Sequence, residues 1–180
     1  MKGRGVVELA GVIDRVDIIS SSFGKAMGGG NGSFLTGKKY LIDLVRQTAS
    51  PSIGSSVIPP HLVAGYELGF KLLQNNPDIL QNLQDNIRLF RTKMKSLGFV
   101  VLGDERSPIC PILIGKAKFA NQFSEKLLAK GIYAVGISFP FVAKDKARIM
   151  VQLSLNHSQE EIKQCIEIFE EVGRALEVIV

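Results

Sequence analysis

Cysteine and histidine are scarce: Cys110, Cys165, His61 and His157 are the only thiol or imidazole side chains in 180 residues. The cysteines form no CxxC pair and the histidines stand about a hundred residues apart, which argues against a disulfide framework and against a metal site. Both thiols read as reduced and structural, one in a strand and one in a helix. Long hydrophobic runs are also missing. The longest nearly uncharged apolar stretch, Ile132 to Ala143, contains Gly136 and Pro140 and is too short to span a bilayer, so no membrane partner is expected. The first residues lack the apolar core of a secretion signal and the Arg/Ser-rich pattern of an organelle presequence. They point to the cytoplasm, or to the mitochondrion if a further segment precedes Met1. Basic charge is diffuse: 22 Lys and Arg against 17 Asp and Glu give +5, with no basic run longer than Lys38-Lys39. Without a concentrated stripe and interleaved aromatics, nucleic acid is not an expected partner.

What is present is a folding sequence, 46% hydrophobic. Strands are predicted over 16–19 (buried) and 33–36, a helix over 38–47, a loop over 48–60, and helices over 60–75 and 79–97, the last stopped by Gly98. Beyond that point short strands, at 100–102, 110–114, 133–135 and 149–153, alternate with helices. The helix over 117–130 ends at Gly131, and the last begins at Ser158, where Ser158-Gln159-Glu160-Glu161 has the capping-box form. The chain therefore reads as two parts, 1–75 and 76–180.

The stretch that carries chemistry is Ser20-Ser21-Ser22-Phe23-Gly24-Lys25-Ala26-Met27-Gly28-Gly29-Gly30, read as a Ser-rich turn bearing one lysine and followed by a glycine loop. An amine that bonds to an aldehyde needs a fixed approach and little crowding, and small neighbours provide both. A second lysine motif, Gly32 to Lys38, fits the P-loop spacing, but Lys39 occupies the place of the magnesium-binding hydroxyl and the segment surrounds a strand, so a nucleotide site is not expected.

With its surroundings, the lysine segment resembles the α-oxoamine synthases, a pyridoxal-phosphate-dependent family of fold type I. Gly3-Arg4-Gly5, Asp14 to Ile19, Phe23 to Gly29, Arg46-Gln47, Pro59-Pro60, Gly131-Ile132-Tyr133, Ala147-Arg148-Ile149 and His157 occur in the order and nearly at the spacing of the branch that joins glycine to acetyl-CoA. The resemblance implies an α/β architecture. Residues 1–75 would form the rear of the large cofactor domain and 76–180 its small α+β domain with an antiparallel sheet. It further implies pyridoxal 5'-phosphate as cofactor, an amino acid and an acyl-CoA as substrates, and a homodimer. Lys25 matches the lysine that bonds to the cofactor aldehyde and moves the substrate's α-proton. Ser22 matches a hydroxyl on the cofactor phosphate, and Ser55 a serine that reaches that phosphate from the neighbouring subunit.

The sequence departs from that pattern in specific places. The first half of the family's chain is absent, with the aspartate that pairs with the ring nitrogen and the histidine that stacks on the ring. The family's carboxylate-binding arginine is Met150 here, which leaves Arg148, two residues earlier on the same strand face, as the candidate. Gly54 replaces an aromatic and Ser50 an arginine ahead of Ser55. The expectation is thus a truncated form or one half of a glycine-using acyltransferase, dependent on the missing half. The alternative is a non-catalytic remnant or structural partner of a complete relative.

Overall fold

The computed structural model describes residues 3–27 and 30–179. The chain divides into two compact units, residues 1–78 and 79–180.

In the first unit a short helix, α1 (Val6–Leu9), and a 3-10 turn (Ile13–Arg15) lead into β1 (Ile18–Ser22). It pairs antiparallel with β2 (Ser33–Gly37), in a register that sets Ser22 opposite Ser33 and Ser21 opposite Phe34. Helices α2 (Lys39–Thr48), α3 (Ser50–Gly54) and α4 (Pro60–Asn75) follow. Pro60 begins α4 where its missing N–H costs nothing. Three expectations change. The buried strand over 16–19 begins at Ile18 and is mostly exposed, because only one side of this two-stranded sheet is covered. Ser20, Ser21 and Ser22 belong to that strand, and the lysine turn begins at Phe23. The loop over 48–60 contains α3, which Pro51 helps to start. Gly28 and Gly29 of the expected glycine loop lie outside the described residues.

The second unit opens with α5 (Asp78–Ser96) and continues through β3 (Ile109–Gly115), α6 (Ala117–Ala129), β4 (Val135–Ile137), β5 (Ala147–Gln152) and α7 (Gln159–Ala175). The sheet order is β3-β5-β4, all antiparallel. Alternation decides which face is buried. Cys110 and Ile112 of β3 and Ala147, Ile149 and Val151 of β5 are buried. They join Ile87, Phe90 and Met94 of α5, Phe123 and Leu127 of α6, and Ile162 and Phe169 of α7 in one core. The strand expected at 100–102 is reduced to a single bridge, Val101 to Ile112, and the one expected at 133–135 is shifted to 135–137. Ser158 and Glu161 form the expected capping box reciprocally. Gly98 and Gly131 take the left-handed conformation just past α5 and α6, with Phe99 N–H on Met94 O and Ile132 N–H on Leu127 O closing each end. Both cysteines are free, as expected, and burial pushes the Cys165 thiol up to about 11. No helix among the described residues is long and apolar enough to cross a membrane.

Candidate active site around Lys25

Residues 23–32 are the connection between β1 and β2, and Lys25 sits near its start. The connection is closed at its base by Phe23 N–H donating to Gly32 O at 3.0 Å. Phe23 is buried, and its ring lies parallel to that of Tyr66 on α4 with centroids 3.9 Å apart. Phe34 and Phe70 meet the Phe23 ring at 5.1 and 6.4 Å. Alternation along β1 and β2 explains the placement: Ser21 and Phe34, directly opposite, share the covered face, while Ser20, Ser22 and Leu35 share the open one.

Lys25 is exposed and has no ion pair or hydrogen bond among the described residues. The next lysine along the chain, Lys38, is committed elsewhere: its ammonium sits 2.8 Å from Asp17, and the hydrogen bond to that carboxylate raises its pKa. The P-loop-like segment is the extended β2, which is no phosphate loop. Ser22 ends β1 three residues before Lys25, exposed on the open face. Ser55 caps the end of α3, where its hydroxyl donates to Pro51 O; no hydrogen bond among the described residues joins it to Ser22 or Lys25. Within this chain, then, the sequence-predicted residues Lys25 and Ser22 lie on one hairpin and Ser55 on another element.

Arg148 and Met150 belong to the second unit. Both lie on the outer face of β5, half-buried, and the Arg148 Nε donates to Lys146 O at 3.1 Å. His157 accepts from Ser154 N–H through Nδ1, while its carbonyl accepts from Asn86, so it fastens the turn before α7. No cluster of metal-ligating side chains occurs among the described residues.

Reasoning from sequence did not single out Phe23, Asn31 or Tyr66 as parts of the lysine site. The signal was present in the aromatic sequence Phe23, Phe34, Tyr66, Phe70, which pairs a turn and a strand with one helix face.

The profile of the family described as aminotransferase class I and II matches residues 2–169. The chain belongs to that family. It is similar to a mouse protein named mitochondrial 2-amino-3-ketobutyrate coenzyme A ligase, with 44% identity over 96% of this chain and 41% of that one. It is also similar to the 8-amino-7-oxononanoate synthase of Thermosipho melanesiensis, with 40% identity over 98% of this chain and 45% of that one. In structure it resembles the serine palmitoyltransferase of Sphingomonas wittichii, with a TM-score of 0.91 and 26% identity over 99% of this chain and 45% of that one. The expected fold-type-I architecture and the α-oxoamine synthase relationship are borne out. The chain spans less than half the length of these family members.

The residues present fit the two ends of pyridoxal phosphate. An exposed amine with no competing carboxylate suits the aldehyde, and the open-face hydroxyl of Ser22 suits the phosphate.

Proposed function

We propose that this chain is the lysine-bearing part of a pyridoxal-phosphate-dependent acyltransferase that joins glycine to acetyl-CoA, giving 2-amino-3-ketobutyrate and CoA. The observation that carries this reading is Lys25, an unpaired amine displayed on a hairpin connection whose two ends are fastened. The bound cofactor supplies an electron sink for charge that develops at the amino acid's α-carbon. Lys25 holds the cofactor aldehyde and moves the α-proton through Nζ. Ser22 donates its hydroxyl to the phosphate, and Ser55 does so from the neighbouring subunit of a homodimer. Arg148 is the guanidinium available to the substrate carboxylate. The ring-nitrogen partner and the stacking group come from the part of the relatives' length that this sequence does not span. The mouse relative's name supports the glycine and acetyl-CoA pairing, and its mitochondrial designation supports a mitochondrial location for the assembled enzyme.

A second reading, a structural partner without catalysis of its own, is favoured by Met150. A thioether cannot replace the bidentate contact of a guanidinium. The α4 helix supports dependence on a partner under either reading. One of its faces packs on Phe23 through Tyr66, while Leu68 and Leu72 on the other are more than half exposed.

The test is to mix the purified chain with pyridoxal phosphate, reduce with borohydride and locate the adduct by peptide mass spectrometry. A phosphopyridoxyl group on Lys25, lost in Lys25→Ala, supports the proposal. Labelling spread over surface lysines, unchanged in the variant, overturns it.

A further inference from the structure

We propose that Tyr66 is a positioning residue that sets the Lys25 connection by holding both of its ends with one side chain. This inference rests on the reading of Lys25 as the cofactor amine.

The geometry is specific. At the start of the connection, the Phe23 ring stacks on the Tyr66 ring, 3.9 Å between centroids and 9° from parallel. At its end, the Tyr66 hydroxyl donates to the carbonyl of Asn31 at 2.7 Å. Tyr66 is the one residue of α4 that is buried, 6% exposed, although the helix is apolar on most sides. Burial of a phenol is tolerated where its O–H has a partner, and Asn31 O is that partner. Gly30 completes the fit, because a Cβ there would overlap the phenol oxygen. Met27 lies against the same helix, its methyl 2.8 Å from where a Cβ on Gly69 would stand. Both ends of the connection and Met27 thus rest on α4, while the Lys25 side chain is exposed and without a polar partner among the described residues. An amine that must meet an aldehyde in one orientation gains from exactly such restraint of its backbone, since the ordering is completed before the ligand arrives.

Two features separate this role from ordinary core packing. The hydroxyl contributes nothing to the aromatic stack and acts only on Asn31, so Tyr66→Phe removes the hold on one end and keeps the other. Gly30→Ala attacks the same junction from the opposite side, because its added methyl would meet the phenol oxygen first and the adjoining ring carbon at 3.0 Å.

The experiment measures two readouts on the wild type, Tyr66→Phe, Tyr66→Leu and Gly30→Ala. One is the initial rate of trypsin cleavage after Lys25, as a ratio to cleavage after the exposed Arg46 of α2. The other is borohydride-fixed labelling of Lys25 by pyridoxal phosphate as a function of its concentration. In Tyr66→Phe the cleavage ratio rises about fivefold, as loss of one neutral hydrogen bond implies, and half-saturation of labelling moves to higher concentration. Gly30→Ala gives the same change, and Tyr66→Leu a larger one. A cleavage ratio that stays constant in Tyr66→Phe and Gly30→Ala overturns the proposal, as does a parallel rise at both sites, which marks Tyr66 as a core residue only. If Lys25 of the wild type takes no label, the cofactor reading fails, and the cleavage ratio still decides whether Tyr66 sets the connection. If Tyr66→Leu does not fold, the other two variants carry the decision.

Discussion

Arg148 and Met150 stand side by side on the outer face of the β3-β5-β4 sheet, and each is flanked across the strands by apolar residues. Arg148 lies between Leu113 and Ile137, and Met150 between Pro111 and Val135. The two are neighbours on one face and do not share a position, so a guanidinium at 148 reaches a different point in space from one at 150.

The expected outcome is that Met150→Arg folds, because residue 150 is only half-buried and a guanidinium can extend along Pro111 and Val135 to solvent. Its unfolding free energy falls by about 1 kcal/mol or less. In the pyridoxal-phosphate-loaded protein, glycine shifts the absorbance band of Met150→Arg at concentrations about tenfold lower than for the wild type, the factor expected of one charge-assisted contact. Arg148→Ala leaves the wild-type response unchanged if Met150 marks a lost carboxylate site, and abolishes it if Arg148 has taken over. Absorbance titration with glycine decides between them.

Arg91 is the residue whose structural weight the helix pattern hides. It is 1% exposed, and its guanidinium donates to Leu102 O at 3.1 Å and Ile109 O at 2.9 Å, with a longer bond to Ser107 O at 3.5 Å. It ties α5 to the segment that leads into β3. Arg91→Ala strands these carbonyls and leaves a cavity, and urea unfolding is expected to show a loss of about 3 kcal/mol or more. Arg91→Lys restores the charge without the planar fork and recovers less than half of that loss.

These two cases show what the sequence made legible and what it did not. The elements with strong local signals appeared where expected: α5 with Gly98, α6 with Gly131, and α7 with its Ser158 and Glu161 box. Elements that depend on pairing moved. Val100 to Leu102 has strand composition, yet only Val101 is bridged to β3. The Ser-rich stretch before Lys25 reads as a turn from composition, but pairing with Ser33, Phe34 and Leu35 draws Ser20 to Ser22 into β1. Of the site, Lys25 was readable from its small neighbours, whereas the Tyr66 contact to Asn31 joins residues 35 apart in sequence, and no local pattern announces it. Arg91 was obscured because an arginine in an amphipathic helix ordinarily marks the solvated face.

Glu177 is the counter-example to the two glycine stops. It takes the left-handed conformation, φ 55°, just past α7, with its own N–H on Arg174 O and Val178 N–H on Gly173 O. This is the closure that Gly98 and Gly131 make for α5 and α6, borne here by a residue with a Cβ. Glu177→Gly is expected to stabilise the protein by about 1 kcal/mol, since the side chain's steric cost at that backbone angle disappears. The converse change, Gly131→Ala, is expected to cost about 1 kcal/mol, and because no atom lies within 4 Å of the added methyl, that cost is torsional alone. Chemical denaturation of both variants checks the pair of opposite signs.

Acid stability has its largest identifiable carrier, Asp104, in the segment that Arg91 holds, next to Glu105, whose pKa the Lys95 hydrogen bond also lowers. Asp104 accepts from Arg106 twice through the guanidinium, at 3.0 Å each, and once from its backbone N–H at 2.9 Å. The side-chain hydrogen bonds foremost, then the backbone one, lower its pKa from 3.8 to about 2. A carboxyl whose folded pKa lies below its unfolded value contributes stability that is fully present above pH 3.8 and is lost as pH falls through about 2. The group is exposed, so salt screens the contribution and the effect is small. Thermal melts between pH 5 and pH 2 are expected to show a steeper decline for the wild type than for Asp104→Asn, whose amide oxygen still accepts from the Arg106 backbone but cannot titrate. The difference narrows in high salt. Coincident pH profiles for the two proteins would show that the Arg106 contacts do not distinguish the folded from the unfolded chain.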